Sequence, residues 1–276
     1  MLLALGAARF DLTHRALVMG ILNRTRDSFF DRGAYFDLDA FYRRAGELVD
    51  EGADLLDVGG VKAGPGPEVN EEEELDRVVG AVAGLRARFD LPLSIDTWRA
   101  SVARAAFAEG AVLGNDISGF ADPDYLPAAA QAGASVVATH IRLAPRVADP
   151  EPVYDDVVAD VSAFLRSAAA RAEAAGIPAD RIVVDAGLDL GKTWQQSLCL
   201  LRASAILAGL GYPLLLSASN KTFLGRLLDL DLGDRRLASH AAHAVGVARG
   251  VRILRVHDVR GARRVVDVLA AVQSAP

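Results

Sequence analysis

Polar side chains close a series of apolar runs in this chain. Asn23, Asp57, Asp96, Asn115 with Asp116, His140, Asp185, Ser219 with Lys221, and Arg255 with His257 each end a stretch rich in Val, Ile and Leu. Asp96, Asn115 and Asp185 offer carboxylate and amide groups to a ligand rich in N–H donors, because a carboxylate accepts two parallel N–H bonds. Lys221, Arg255 and His257 offer charge to an anion, and a guanidinium grips phosphate oxygens with two bonds at once. Asn23 places an oxygen suited to Mg2+, an ion that uses few protein ligands beside a phosphate. Acceptors on one side and cations on the other suit a heterocycle carrying a phosphate. A single polar strand end is ordinarily solvated or bonded locally, but eight of them read as one pocket.

The runs that must position these groups span residues 16–23, 54–60, 92–97, 112–118, 135–140, 182–187, 213–219 and 253–259. Runs apolar on both faces fit parallel strands buried on both sides. Helical spacing appears over 38–51, 71–89, 99–109 and 155–175, and the acidic run 71–74 reads as a solvated helix start that favours the dipole. Gly52, Gly110, Gly133 and Gly176 follow helical stretches as C-terminal caps. Strand, loop, helix, glycine, strand, repeated eight times, predicts an α/β fold, a (β/α)8 TIM barrel covering residues 1–276 as one domain. Barrel sites are built from the strand ends and the loops after them, and the long loops after the first two strands are candidate lids.

The 276 residues are 51% hydrophobic, enough for a core that needs no disulfide or structural metal. The one cysteine, Cys199, reads as a small buried apolar residue on a helix, and its solitude agrees with a reducing cytoplasm. A net charge of −6 argues against nucleic acid, and no apolar stretch is long enough to span a membrane.

Met19-Gly20-Ile21-Leu22-Asn23-x-Thr25-x-Asp27-Ser28-Phe29 resembles the first-loop motif of dihydropteroate synthases. Asp57-Val58-Gly59-Gly60, Ser94-Ile95-Asp96-Thr97, Asn115-Asp116-Ile117-Ser118-Gly119, Gly191-Lys192, Ser219-x-Lys221 and Arg255-Val256-His257-Asp258-Val259 follow in that family's order. The resemblance spans nearly the whole chain. It implies a Mg2+-dependent transferase that joins 6-hydroxymethyl-7,8-dihydropterin diphosphate to p-aminobenzoate in folate synthesis. Asp96, Asn115, Asp185 and Lys221 would then hold the pterin, and Asn23, Arg255 and His257 would handle pyrophosphate and Mg2+. Asp27, in a loop that closes over the site, joins Asn23, Lys221, Arg255 and His257 as a catalytic candidate. Family members are often dimers through outer helices. Leu200, Leu201, Ile206, Leu207 and the segment 241–247 are equally compatible with such a face and with barrel packing.

The departures fall on the second-substrate side. Family loops usually read Gly-Gly-Glu-Ser-Thr-Arg-Pro-Gly, against Gly59-Gly60-Val61-Lys62-Ala63-Gly64-Pro65-Gly66 here. Asn220 stands where Ser-Arg-Lys has its Arg, Leu190 where a Phe packs on p-aminobenzoate, and Arg26 where the first loop has Pro. This pattern resembles the second-copy paralogues of actinobacteria. It leaves open a synthase with a remodelled benzoate pocket, a pterin-binding paralogue without synthase activity, or an enzyme using another amine.

Overall fold

A computed structural model of the chain describes residues 1–25, 36–64 and 66–275. Eight parallel strands close into a barrel: β3 (Leu17–Asn23), β4 (Leu55–Gly59), β5 (Leu93–Asp96), β6 (Leu113–Asp116), β7 (Ser135–Thr139), β8 (Ile182–Asp185), β9 (Leu214–Leu216) and β10 (Val251–Val256), which pairs back onto β3. Helices alternate with them on the outside, among them α1 (Leu38–Asp50), α2 (Glu71–Arg86), α3 (Ala100–Ala108), α4 (Tyr125–Ala132), α5 (Val157–Ala174), α6 (Trp194–Arg202), α7 (Ser204–Ala208), α8 (Thr222–Leu228), α9 (Arg236–Ala248) and α10 (Val259–Gln273). The (β/α)8 expectation is met, although every strand except β3 stops one to three residues before its sequence run does, and β10 begins two residues earlier.

Two-residue periodicity sorts each strand. One set of side chains packs outward on the helices. The other fills the barrel, where Leu17, Met19, Leu55, Leu113, Val137, Val183, Leu215 and Ile253 form an apolar lower core. Two N-terminal strands, β1 (Leu2–Leu5) and β2 (Ala8–Asp11), make an antiparallel hairpin that adds Leu3 and Leu5 to that core. Further up, the inward set turns polar. Register places Asn23 opposite Gly59, Gly59 opposite Asp96, and Asp96 opposite Asn115, so these positions form one rising band. The strand direction that buries leucines at the bottom therefore brings the predicted polar residues together at the C-terminal mouth.

The four predicted cap glycines have φ between +62° and +104°, the left-handed conformation that ends a helix. The acidic run does begin α2, but Glu74 is not solvated: it is fully buried and paired with Arg99. Cys199 lies on α6 and is half-buried rather than buried. Leu200, Leu201 and Leu207 pack in the core, whereas Ile206 and Val245 are exposed. None of the described helices is long and apolar enough to cross a membrane.

Candidate active site

A cavity of about 380 Å³ opens at the C-terminal mouth. Asn23, Asp96, Asn115, Asp185, Lys221 and Arg255 all line it, six of the eight predicted site residues. Asp27 lies outside the described residues. His257 is buried beside the cavity instead of in its wall, with its ring Nδ1 3.0 Å from Ser219 Oγ.

The floor is organised by a strand-end residue to which the sequence assigned no individual role. Asp57 is fully buried inside the barrel, where it accepts from Ser94 Oγ at 2.5 Å, Asn115 Nδ2 at 3.2 Å and Arg255 Nε at 2.6 Å. Donation from Nδ2 leaves the Asn115 carbonyl oxygen as that side chain's remaining acceptor. Arg255 also donates through Nη2 to Asp96 at 2.6 Å. The expected separation of acceptors from cations is thus incomplete, because Arg255 and Asp96 are direct partners. Burial works against the Arg255 charge, but Asp57 and Asp96 more than offset this and hold its pKa above the ordinary value. Burial, opposed by Arg255, pushes Asp96 up to about 7.

Asp185 closes the other side of the floor. Burial raises its pKa, while Lys221 and the Gly187 amide, which donates to Oδ1 at 2.8 Å, act in the opposite direction. Gly187 has φ +63°, and a Cβ there would stand 2.0 Å from the His140 carbonyl oxygen, so the turn after β8 requires glycine. Lys192 braces this turn from below. Its ammonium donates to the Gly187 and Leu190 carbonyls at 2.9 Å each and lies 2.8 Å from His140 Nδ1. Burial depresses Lys192 to about 7 and His140 to about 3, so the His140 ring is the neutral acceptor of that bond.

Neither remaining basic group is as simple as its type implied. Lys221 Nζ donates to the Leu188 carbonyl, and burial lowers its pKa. Burial, reinforced by Arg255 and Arg44, pushes His257 down to about 3. Burial thus works against the charge the sequence assigned to His257, whose ring Nδ1 meets Ser219 Oγ. Asp116, which shares the β6 end with Asn115, faces the other way. Its carboxylate accepts from the Ser118 and Phe120 amides at 2.6 and 2.9 Å and shapes the following turn.

The outer wall is formed by the altered loops. Lys62, Ala63, Gly64, Leu190 and Asn220 all line the cavity, as do Asp189, Ser217, Thr222 and Arg235, which sequence reasoning missed. Arg146 fastens the second loop: its guanidinium donates to the carbonyls of Lys62 at 3.3 Å and of Pro67, and its backbone amide donates to the Ala63 carbonyl at 3.2 Å. Asp189, at φ +66°, accepts from the Phe223 amide at 3.2 Å and ties the loop after β8 to α8. Asp189 and Arg235 lie off the strand ends, so no periodicity marked them.

An acceptor-lined floor with cations at its side, at the mouth of a (β/α)8 barrel, defines a barrel protein built for a polar heterocycle bearing an anionic group. The chain belongs to the pterin binding enzyme family, whose sequence pattern matches residues 19–257. It is 45% identical to the inactive dihydropteroate synthase 2 of Mycobacterium leprae, over 94% of this chain and 91% of that one. It is 38% identical to dihydropteroate synthase of Bacillus subtilis, over 94% of this chain and 89% of that one. A crystal structure of the Yersinia pestis dihydropteroate synthase in a sulfonamide drug complex superposes with a TM-score of 0.95 at 37% identity, covering 100% of both chains.

Proposed function

We propose that the chain is a dihydropteroate synthase-like transferase, one pterin-binding domain that condenses 6-hydroxymethyl-7,8-dihydropterin diphosphate with p-aminobenzoate. The observation that carries this reading is the convergence of Asp96, Asn115 and Asp185 on one cavity floor with Lys221 and Arg255 beside them. The carboxylates and the Asn115 carbonyl accept from the amino and ring N–H groups of a pterin. Lys221 and the remaining Arg255 donors hold the ring and the pyrophosphate. His257, buried beside the cavity, stands with Arg255 on the pyrophosphate side. Asp27 lies outside the described residues, and its catalytic role is proposed from the first-loop motif alone. In the reaction a C–N bond forms as the C–O bond to pyrophosphate breaks. Pyrophosphate takes the electron pair, and the amine nitrogen releases a proton. Anionic groups on the floor favour the positive charge that develops on the pterin. No protein nucleophile is required.

Mg2+ fits as an ion brought in largely by the substrate. Among the described residues no group of three His, Cys, Asp or Glu side chains could hold a metal. Asn23 lines the cavity, and Gly59 leaves the space before it bare: a Cβ there would lie 3.0 Å from Asn23 Oδ1. One amide oxygen plus phosphate and water oxygens is a donor set this hard cation accepts. When bound, Mg2+ would neutralise charge on the departing pyrophosphate. We also read the protein as cytoplasmic, acting on small molecules rather than nucleic acid or membranes, and as a homodimer, to which the exposed Ile206 and Val245 on the outer helices are suited.

A second reading has specific support. Ala63, Gly64 and Asn220 replace the Thr and two Arg residues of the benzoate side, and a relative sharing 45% identity is an inactive synthase. In this reading the chain is a pterin-pyrophosphate-binding paralogue, or takes another amine. Pyrophosphate release measured with the pterin diphosphate and Mg2+, with and without p-aminobenzoate, separates the two. Release that depends on p-aminobenzoate and yields dihydropteroate is expected of the synthase. Tight pterin binding in calorimetry without such turnover would sink it in favour of the paralogue.

A further inference from the structure

The cavity wall contains a cation held from an unexpected direction. Arg235 immediately precedes α9, yet its side chain crosses α8 to reach the wall beside Ser217, Asn220 and Thr222. The crossing depends on Gly225 in α8, where a Cβ would stand 2.5 Å from Cζ, Nε and Nη2 of Arg235. Two bonds fix the guanidinium there: Nε donates to the Leu230 carbonyl and Nη1 to the Asn220 carbonyl, each at 3.2 Å.

Arg235 differs from the other arginine of the cavity in what it is bonded to. Arg255 is committed to Asp57 and Asp96. Arg235 has no ion pair among the described residues, and with only two carbonyl bonds it keeps N–H donors for a ligand. A guanidinium held by carbonyls retains its full positive charge, and its planar donor edge matches a carboxylate. Val61, Ala63 and Leu190 supply apolar wall to the same cavity.

We propose that Arg235 is the specificity-determining residue for the second substrate, binding the carboxylate of an aromatic amino acid such as p-aminobenzoate. It does so in a chain that has Asn220 after β9, and Ala63 and Gly64 after β4, at the positions that dihydropteroate synthases give to Arg, Thr and Arg. This rests on the reading that the cavity pairs a pterin with an amine, but it concerns recognition and not turnover.

The test is therefore a binding experiment on the full chain in which no reaction takes place. Calorimetry would compare p-aminobenzoate with its neutral analogue p-aminobenzamide, in the presence of pyrophosphate and a pterin alcohol that lacks the diphosphate. Wild type is expected to favour the carboxylate by about ten- to a hundredfold, the range of a charge-assisted bond. Arg235→Gln should erase that preference, and Arg235→Lys should retain part of it. Gly225→Ala keeps the charge but displaces the guanidinium, and should also reduce the preference. Pterin affinity should be unchanged in all three variants, which reports intact folding. A wild type indifferent to the carboxylate, an Arg235→Gln variant with its preference intact, or a parallel loss of pterin affinity would overturn the assignment. Selective carboxylate binding in a chain that never releases pyrophosphate would sustain it while refuting the synthase reading.

Discussion

Asp185 illustrates how much one side chain decides at the mouth of the barrel. Its Oδ1 is committed to the Gly187 amide, and the rest of the carboxylate faces a cavity that also contains Asp96 and Asn115. A pterin bonded there would exchange water for a buried, charge-assisted pair, each bond of which is worth about 1.5–3 kcal/mol. Asp185→Ala removes that acceptor and also leaves the Gly187 amide without its partner. Pterin affinity is expected to fall by at least about a hundredfold, the equivalent of roughly 2.7 kcal/mol. Calorimetric titration checks it, and unchanged affinity would remove Asp185 from the site. Asp57 shows the opposite kind of importance. It does not line the cavity, yet it sets the position of Arg255 and Asn115, which do. The sequence placed Asp57 at a strand end with the others, but a strand end does not say which side chain a carboxylate meets across a barrel. For the same reason the Asp96–Arg255 contact was hidden, since 159 residues separate the partners.

At the scale of elements, legibility followed burial. The eight barrel strands stood out because both their faces are covered, and the helix ends because glycine there adopts positive φ. The β1–β2 hairpin went unread: its strands are four residues each, and β2 alternates only between exposed and half-buried side chains. Arg235 was missed because it reaches the cavity from the turn before α9, outside every strand-end pattern. Helix α9 has a further consequence. His243 on its inner face is buried, and neither ring nitrogen has a hydrogen-bond partner among the described residues. Burial, with help from His240, pushes it down to about 3. The unfolded chain therefore binds the proton more readily between about pH 3 and 6.5, so this residue's contribution to stability is lost as pH falls through that window. Between pH 7.5 and 5 the loss amounts to about 2 kcal/mol. Denaturant unfolding of wild type and His243→Phe at both pH values is expected to show that much less acid destabilisation in the variant. Equal losses would mean that His243 is protonated in the folded protein.

The whole molecule keeps stability and recognition at opposite ends of one barrel. At the closed end, Leu3 and Leu5 of the hairpin are buried against Leu17, Met19, Leu55 and Leu113, and Ser135 Oγ donates to the Ala4 carbonyl at 2.5 Å. At the open end the same strands hold carboxylates whose burial opposes their charge. A site assembled from such groups costs stability, and the leucine-filled end offsets that cost. Leu3→Ala should thus destabilise the protein by about 2–5 kcal/mol, the range for a buried leucine that leaves a cavity. In a chain of this size that lowers Tm by roughly 4–20 °C. Pterin diphosphate at a hundred times its Kd would return about 2.7 kcal/mol, since it binds only the folded state. Thermal unfolding with and without ligand tests both halves of the argument. The expected result is a lower Tm for Leu3→Ala, with a ligand-induced rise equal to that of wild type. A smaller rise in the variant would show that the hairpin end is coupled to the mouth, and that the barrel transmits packing defects along its whole axis.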